Sequence, residues 1–237
     1  MRRLIPASAL LLLFSGTWIP EARADAFCDR LLPPPTTHVE PFGAEVRLRR
    51  SLPSAALSGQ QPMKRGSHTL GLTSTTMYHD FILEWNVQTV RNVVCIRPAH
   101  INLRVGYQNR TVDIAAEIPD GTCLREEVMA HEMRHVNTGV EVVLRFVPSL
   151  SADLDRIAKS APSGSFDPRE RAAMAAWTDR QKDWIEASLR GDMAALVAEH
   201  DRAQALIDTT EEYKRLGAVC GGEASRYVGG NPMYRRR

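Results

Sequence analysis

The chain has 237 residues, with 30 Lys and Arg against 28 Asp and Glu, a formal charge of +2. So small a surplus argues against a nucleic-acid binder, which carries a dense basic patch or stripe. Four Cys with no C-x-x-C pair argue against a Cys-based zinc site, and an even count fits two disulfides in an exported chain.

The first residues read as an export signal. Arg2 and Arg3 supply the positive start, residues 4–19 the apolar stretch, and Ala22-Arg23-Ala24 a small-x-small cleavage site, with Ala24-Asp25-Ala26 as a second choice. The apolar stretch is short for a membrane span and broken by Gly16 and Pro20, so cleavage is expected, with no stable membrane insertion afterwards. Cutting after Ala24 removes Arg2, Arg3, Arg23 and Glu21, which reduces the 30 basic and 28 acidic residues to 27 of each. The predicted location is periplasmic or extracellular. Residues 25–237 suit a single domain, mainly β over 25–120 and mainly helical over 121–220.

Residues 25–43, with Pro33-Pro34-Pro35 and Pro41, predict an extended arm. From about 44 to 118 the signals are β. Glu45-Val46-Arg47-Leu48 alternates, as do stretches of 77–87, with residues 53–68 as a loop rich in Gly and Pro. Residues 93–96 and 101–105 lead to Tyr107-Gln108-Asn109-Arg110 and then to 111–115, the pattern of a hairpin centred on Asn109. Cys95 and Cys123 flank that hairpin symmetrically, which predicts a Cys95–Cys123 disulfide and leaves Cys28–Cys220 to tie the chain ends.

After Pro119-Asp120-Gly121 the period changes. Thr122 can cap a helix ending before Pro148, followed by a short helix over about 151–159. Asp167-Pro168 opens a long helix, with Asp as N-cap and Pro in the first turn, which Gly191-Asp192 interrupts. Thr209-x-x-Glu212 has capping-box spacing and starts a last one. The predicted fold class is α+β: an N-terminal antiparallel sheet, then helices.

The first of those helices carries His131-Glu132-Met133-Arg134-His135, the pattern H-E-x-x-H. Two His four apart project from one helix face and can close on a single tetrahedral zinc, while the adjacent Glu can deprotonate a water. On a helical projection Met129, Met133, Val136, Val140, Val143 and Val147 form the stripe expected against the sheet. His131 and His135 fall on a second apolar side, in a cleft under the C-terminal helices, with Glu132 between the faces. Arg134 points away from the cleft.

A strand over 111–118, then Cys123, then Ala130-His131-Glu132-Met133-Arg134-His135-Val136 resembles the zincin metallopeptidases, in which an edge strand precedes the H-E-x-x-H helix. Over about residues 90–148, with a weaker echo at 207–220, the chain is similar to a bacterial family of unknown function described as predicted secreted zinc-dependent proteases. The resemblance implies hydrolysis of a peptide or protein substrate with one Zn2+ per chain, Glu132 as general base, and the strand at 111–118 holding the peptide by strand addition.

Catalytic zinc needs a third protein ligand. Glu141 stands six after His135, where the metzincin pattern places a His, but Arg145 is a ready partner for it. His200 faces inward on the stripe Met193, Leu196, His200, Ala203 and Ile207. Glu212 shares an inward face with Leu216 and Val219, and a buried carboxylate needs a cation, which makes it the preferred candidate. Tyr213 beside it is a core residue or an oxyanion donor. Three other functions stay open: an inactive zincin-like binding protein of the cell envelope, a structural or lysis-associated envelope protein with no metal, and an amidase acting on cell-wall peptides. No oligomeric state follows from the sequence.

Overall fold

The computed structural model describes residues 25–60 and 69–227; the export signal expected over 1–24 lies outside them. Helix α1 (Ala26–Leu31) leads into strands β1 (Thr36–Gly43) and β2 (Val46–Arg49) and the short helix α2 (Ser54–Ser58). Two long strands follow, β3 (Gly71–Val90) and β4 (Val93–Ile114), paired antiparallel along their whole length. Arg91 and Asn92 join them, and Arg91 has a φ of 52°, the left-handed conformation a two-residue hairpin turn needs at its first position.

The hairpin therefore does not turn at Asn109. Thr76 pairs with Asn109 and Met77 with Tyr107, so Gln108 is the extra residue of a β-bulge inside β4. The exposed polar pair Gln108-Asn109 imitates a turn because a bulge also leaves its residues without a buried face. The bulge shifts the inward parity of β4. Ile101, Leu103, Val105 and Tyr107 are buried before it, and Val112 and Ile114 after it.

β1 and β2 both run parallel to β4, pairing with residues 100–107 and 110–113. The sheet is thus open and mixed rather than antiparallel, because β2 continues the direction of β1 past Ala44 and Glu45, where no turn pair reverses the chain. Since β3 takes one side of β4, strands β1, β2 and the short β5 (Gly164–Phe166) take the other. The segment expected to be an edge strand, 111–118, is interior: Thr111, Val112 and Asp113 pair with β2 and β3 at once. Among the described residues the long free edge belongs to β3.

Helix α3 (Cys123–Ser160) is capped by Thr122, whose Oγ1 accepts from Arg125 N, and it runs through Pro148 instead of ending there. Proline removes a hydrogen bond within the helix. Here Leu150, Leu154 and Ile157 beyond it are fully buried against the sheet and the next helix, and the Ser149 and Ser151 hydroxyls donate to the carbonyls of Phe146 and Val147. The short helix expected at 151–159 is the end of α3. Its buried face is Leu124, Val128, Glu132, Val136, Gly139 and Val143, while Met129, Met133, Val140 and Val147 are only half-buried beside it. Gly139 sets that rotation: Tyr107 packs on it, and a Cβ there would lie 2.8 Å from Tyr107 Oη.

Helix α4 (Arg171–Ala205) starts three residues later than Asp167-Pro168, because Asp167 takes the backbone N–H of Arg169 in a turn of its own. Gly191 does not interrupt α4. It is exposed, at a cost of about 1 kcal/mol, and Ile185, Leu189, Met193 and Leu196 form one buried row across it. The last helix, α5 (Thr210–Ala218), begins at the Thr209 cap as expected and passes into a 3-10 turn at Cys220–Arg226.

The disulfides are Cys28–Cys95 and Cys123–Cys220, and not the pairs the misplaced hairpin predicted. Extended chain rises roughly 3.3 Å per residue, so an unbroken β4 carries Cys95 and Cys123 to opposite ends of the sheet, far beyond disulfide reach. One bridge pins α1 to the start of β4. The other pins the α5 region to the first turn of α3. No helix of the described residues is long and apolar enough to cross a membrane.

Candidate metal centre

His131 and His135 leave α3 one turn apart and are buried, 4 % and 9 % exposed. Their Nε2 atoms stand 3.3 Å apart. Over them the chain turns from α4 to α5, and in that turn Asp208 brings Oδ1 to 3.3 Å from each Nε2. The three atoms form an equilateral triangle. A tetrahedron with that edge has its centre about 2.0 Å from each corner, the usual bond length from a zinc-like ion to imidazole nitrogen or carboxylate oxygen. Among the described residues this is the group of His and acidic side chains that could hold a metal ion.

Each histidine is gripped from behind, and Asp208 is held at Oδ1 itself. His131 Nδ1 faces Glu212 Oε1 at 3.3 Å and Arg134 Nη2 at 3.1 Å, and Arg134 also donates to Glu212. Arg215 binds both Glu212 oxygens and reaches Glu127, tying α5 to α3. His135 Nδ1 lies 2.5 Å from Gln204 Oε1, while Gln204 Nε2 donates to the backbone carbonyl of His135 at 3.1 Å. Asp208 accepts from Tyr213 Oη at 2.9 Å.

These contacts set the charges. Arg215, with help from Arg134 and His131 and against burial, holds the Glu212 carboxyl down at about 2. Burial disfavours the charged form of Asp208, but hydrogen bonds from His131 and His135 outweigh it, and its carboxyl lies well below the usual range. Burial likewise disfavours protonated His135, and the bonds to Asp208 and Gln204 outweigh it, so the imidazole is raised.

Glu132 projects from the buried face of α3 toward β3, where Thr73 Oγ1 donates to its Oε2 at 2.7 Å. Burial raises its carboxyl, and the Thr73 bond with the two imidazoles only partly offsets this. The sheet comes this close because residue 71 is glycine: a Cβ there would sit 2.5 Å from Glu132 Oε1. Glu132, both His, Asp208 and the stretch from Thr69 to Thr75 line one cavity of about 230 Å³. Leu70 O accepts from Ala115 N, so by antiparallel alternation the backbone groups of Gly71, Thr73 and Thr75 face the free edge of β3, beside that cavity.

Of the residues the sequence singled out, His131, Glu132 and His135 meet at this cavity. Glu212 is not one of the three converging donors; it lies behind His131, held by two arginines. His200 is on the cavity wall, next to Tyr107 and Asp201, outside the triangle. Glu141 is exposed on α3, and Arg145, its expected partner, pairs with Glu199 instead. Arg134 is solvent-exposed as expected, yet its head group reaches into the His131 network. Asp208 and Gln204 were missed. The one signal for Asp208 was its place before the Thr209 cap, in the turn between two helices that cover the motif. No protein-family model, curated protein or solved structure matches this chain.

Proposed function

We propose that the protein is an exported zinc-dependent peptidase in which His131, His135 and Asp208 hold one Zn2+ and Glu132 is the general base. The observation that carries this reading is the triangle of two imidazole nitrogens and one carboxylate oxygen with 3.3 Å edges, in the lining of a cavity that a buried carboxylate also lines. Three N/O protein ligands with a fourth position left to solvent is the pattern of catalytic zinc. Bound there, zinc would supply Lewis acidity toward a carbonyl and lower the pKa of a water. The two disulfides and the expected leader favour export.

The protein's own groups divide the remaining work. Glu132 takes the proton of the attacking water and returns it to the leaving amine. Its raised proton affinity, a consequence of burial, suits a group that must both accept and give a proton near neutral pH. Thr73 fixes the carboxylate so that one oxygen stays directed. The free edge of β3 at Gly71, Thr73 and Thr75 pairs with an extended peptide by strand addition. The order of an edge strand, an H-E-x-x-H helix and a downstream third donor supports placement with the zincins and with the predicted secreted zinc-dependent proteases, with β3 in the role first expected of residues 111–118.

The deciding experiment is zinc content with cleavage of peptide libraries, cell-wall peptides included, for wild type and Glu132→Gln. The expected result is one zinc in both proteins, cleavage by the wild type, and a rate at least ~10²-fold lower in the variant. Equal turnover by the two proteins overturns the role of Glu132. A wild type that holds zinc but cleaves nothing contradicts the peptidase reading and leaves a metal-holding envelope protein.

A further inference from the structure

The bulge at Gln108 has a second effect on β4. Side chains of a strand alternate between its two faces, so Tyr107 and the residue three further on would lie on opposite faces. With one extra residue between them they share a face, and Arg110 follows Tyr107 to the side that α3 covers. A cation is thereby carried onto the face that buries Leu103, Val105, Val112 and Ile114. It meets no carboxylate there. Arg110 Nε donates to the Ala44 carbonyl at 2.5 Å, and its two Nη atoms make no hydrogen bond or ion pair among the described residues. The guanidinium lies over Gly43 at the end of β1, where a Cβ would stand 3.0 Å from Nη2.

Arg110 and Gly43 line a second cavity, of about 230 Å³, between β1, β4 and α3. Pro41, Val140, Val143 and Leu144 give it apolar walls, and Leu144 is still 51 % exposed. Tyr107 lines it as well, and the buried Tyr107 hydroxyl has no hydrogen-bond partner. The cavity shares no lining residue with the one at the metal centre. The geometry points to a binding site for a small carboxylate with an unbranched aliphatic tail, its head on Arg110 and its tail along Val140, Val143 and Leu144. The chemistry of the walls selects that class. A guanidinium with both Nη atoms open matches a carboxylate with two parallel hydrogen bonds. No other Lys, Arg or His lines the cavity, so it balances one negative charge, which suits a monocarboxylate better than a phosphate dianion. Apart from Tyr107 the remaining side chains are apolar, and so is the part of the ligand they touch. The volume lies below the roughly 300 Å³ at which pockets for drug-sized ligands begin, which limits the tail to a short or medium chain. This site does not depend on the peptidase reading.

The test is a methyl 1H–13C NMR titration of the metal-free protein with octanoate, below the concentration at which it forms micelles. Octanol is the control, since it keeps the tail and lacks the charge. Octanoate should shift the methyls of Val140, Val143 and Leu144 saturably, and should bind at least ~10-fold more tightly than octanol, the weight of hydrogen bonds to a charged group. Arg110→Gln should bring octanoate down to the affinity of octanol. Arg110→Lys, which keeps the charge but loses the planar fork, should fall between. Leu144→Ser, at an exposed position, should weaken both ligands alike. Shifts absent from Val140, Val143 and Leu144 overturn the site, whatever moves elsewhere. Octanol binding there as tightly as octanoate overturns the carboxylate assignment, and both of these readings come from the wild type alone. A folded Arg110→Gln protein that holds octanoate as the wild type does overturns the role of Arg110.

Discussion

Helix α3 and the segment from Gln204 to Arg226 serve the centre in opposite ways. α3 brings three candidate side chains, His131, Glu132 and His135, within one turn and a half of a helix that the sheet, α4 and its own length hold in place. The later segment brings Asp208 from a turn, with Gln204 on one side and Tyr213 and Glu212 on the other. Its anchors are few: Leu216 and Ala224 in the core, the links to α3 from Arg215 to Glu127, from Glu212 to Arg134 and from Gln204 to the His135 carbonyl, and the Cys123–Cys220 bridge. Two donors thus come preassembled by a helix, and the third depends on tertiary docking. Metal affinity should respond sharply to whatever loosens that docking and weakly to equal damage elsewhere.

The disulfides offer the largest contrast. They close loops of sequence separation 97 and 67, and removing either should cost roughly 2–5 kcal/mol of stability. Only the double replacement of Cys123 and Cys220 by Ser should also weaken zinc binding, because of the two bridges only that one helps tie down the Asp208 segment. Replacement of Cys28 and Cys95 should lower the unfolding temperature and leave zinc affinity as it was. Unfolding curves and chelator competition on both variants separate the two effects; equal zinc loss in both would break the contrast.

On the α3 side, Thr73→Val removes the hydrogen bond that lowers the proton affinity of Glu132. The acid limb of the pH profile of kcat/KM should move to higher pH, with zinc affinity unchanged. A limb that stays in place would mean that Glu132 is not the group it reports.

A smaller effect lies in acid. The folded-state pKa of Glu212 is depressed from 4.5 to about 2, mainly by Arg215, so its contribution to stability is complete above the unfolded value and is lost as pH falls through that window. Urea unfolding between those pH values should show the wild type losing stability faster than Glu212→Gln.

The same division explains what was legible in the residues alone. His131, Glu132 and His135 depend on helical spacing, which one short stretch of sequence encodes. Asp208 depends on where α4 ends and how α5 folds back, and that is decided by distant contacts such as Arg215 with Glu127. Glu212 looked like a buried carboxylate in want of a cation, and it has two, but they are arginines. In the sheet, alternation revealed the strands but not their partners. A polar bulge at Gln108 passed for a turn, which misplaced the hairpin and both disulfides with it. Pro148 and Gly191 failed as stop signals because buried rows on both sides outweighed a local cost of a few kcal/mol.

The central claim is that Asp208 completes the centre while Glu212 only supports His131. Zinc titration of the wild type, Asp208→Asn and Glu212→Gln tests it directly. The account predicts one tight site in the wild type. It predicts a loss in Asp208→Asn greater than the ~10–100-fold typical of a supporting partner, and a loss within that range in Glu212→Gln. Wild-type affinity in Asp208→Asn, with zinc lost from Glu212→Gln, would contradict it.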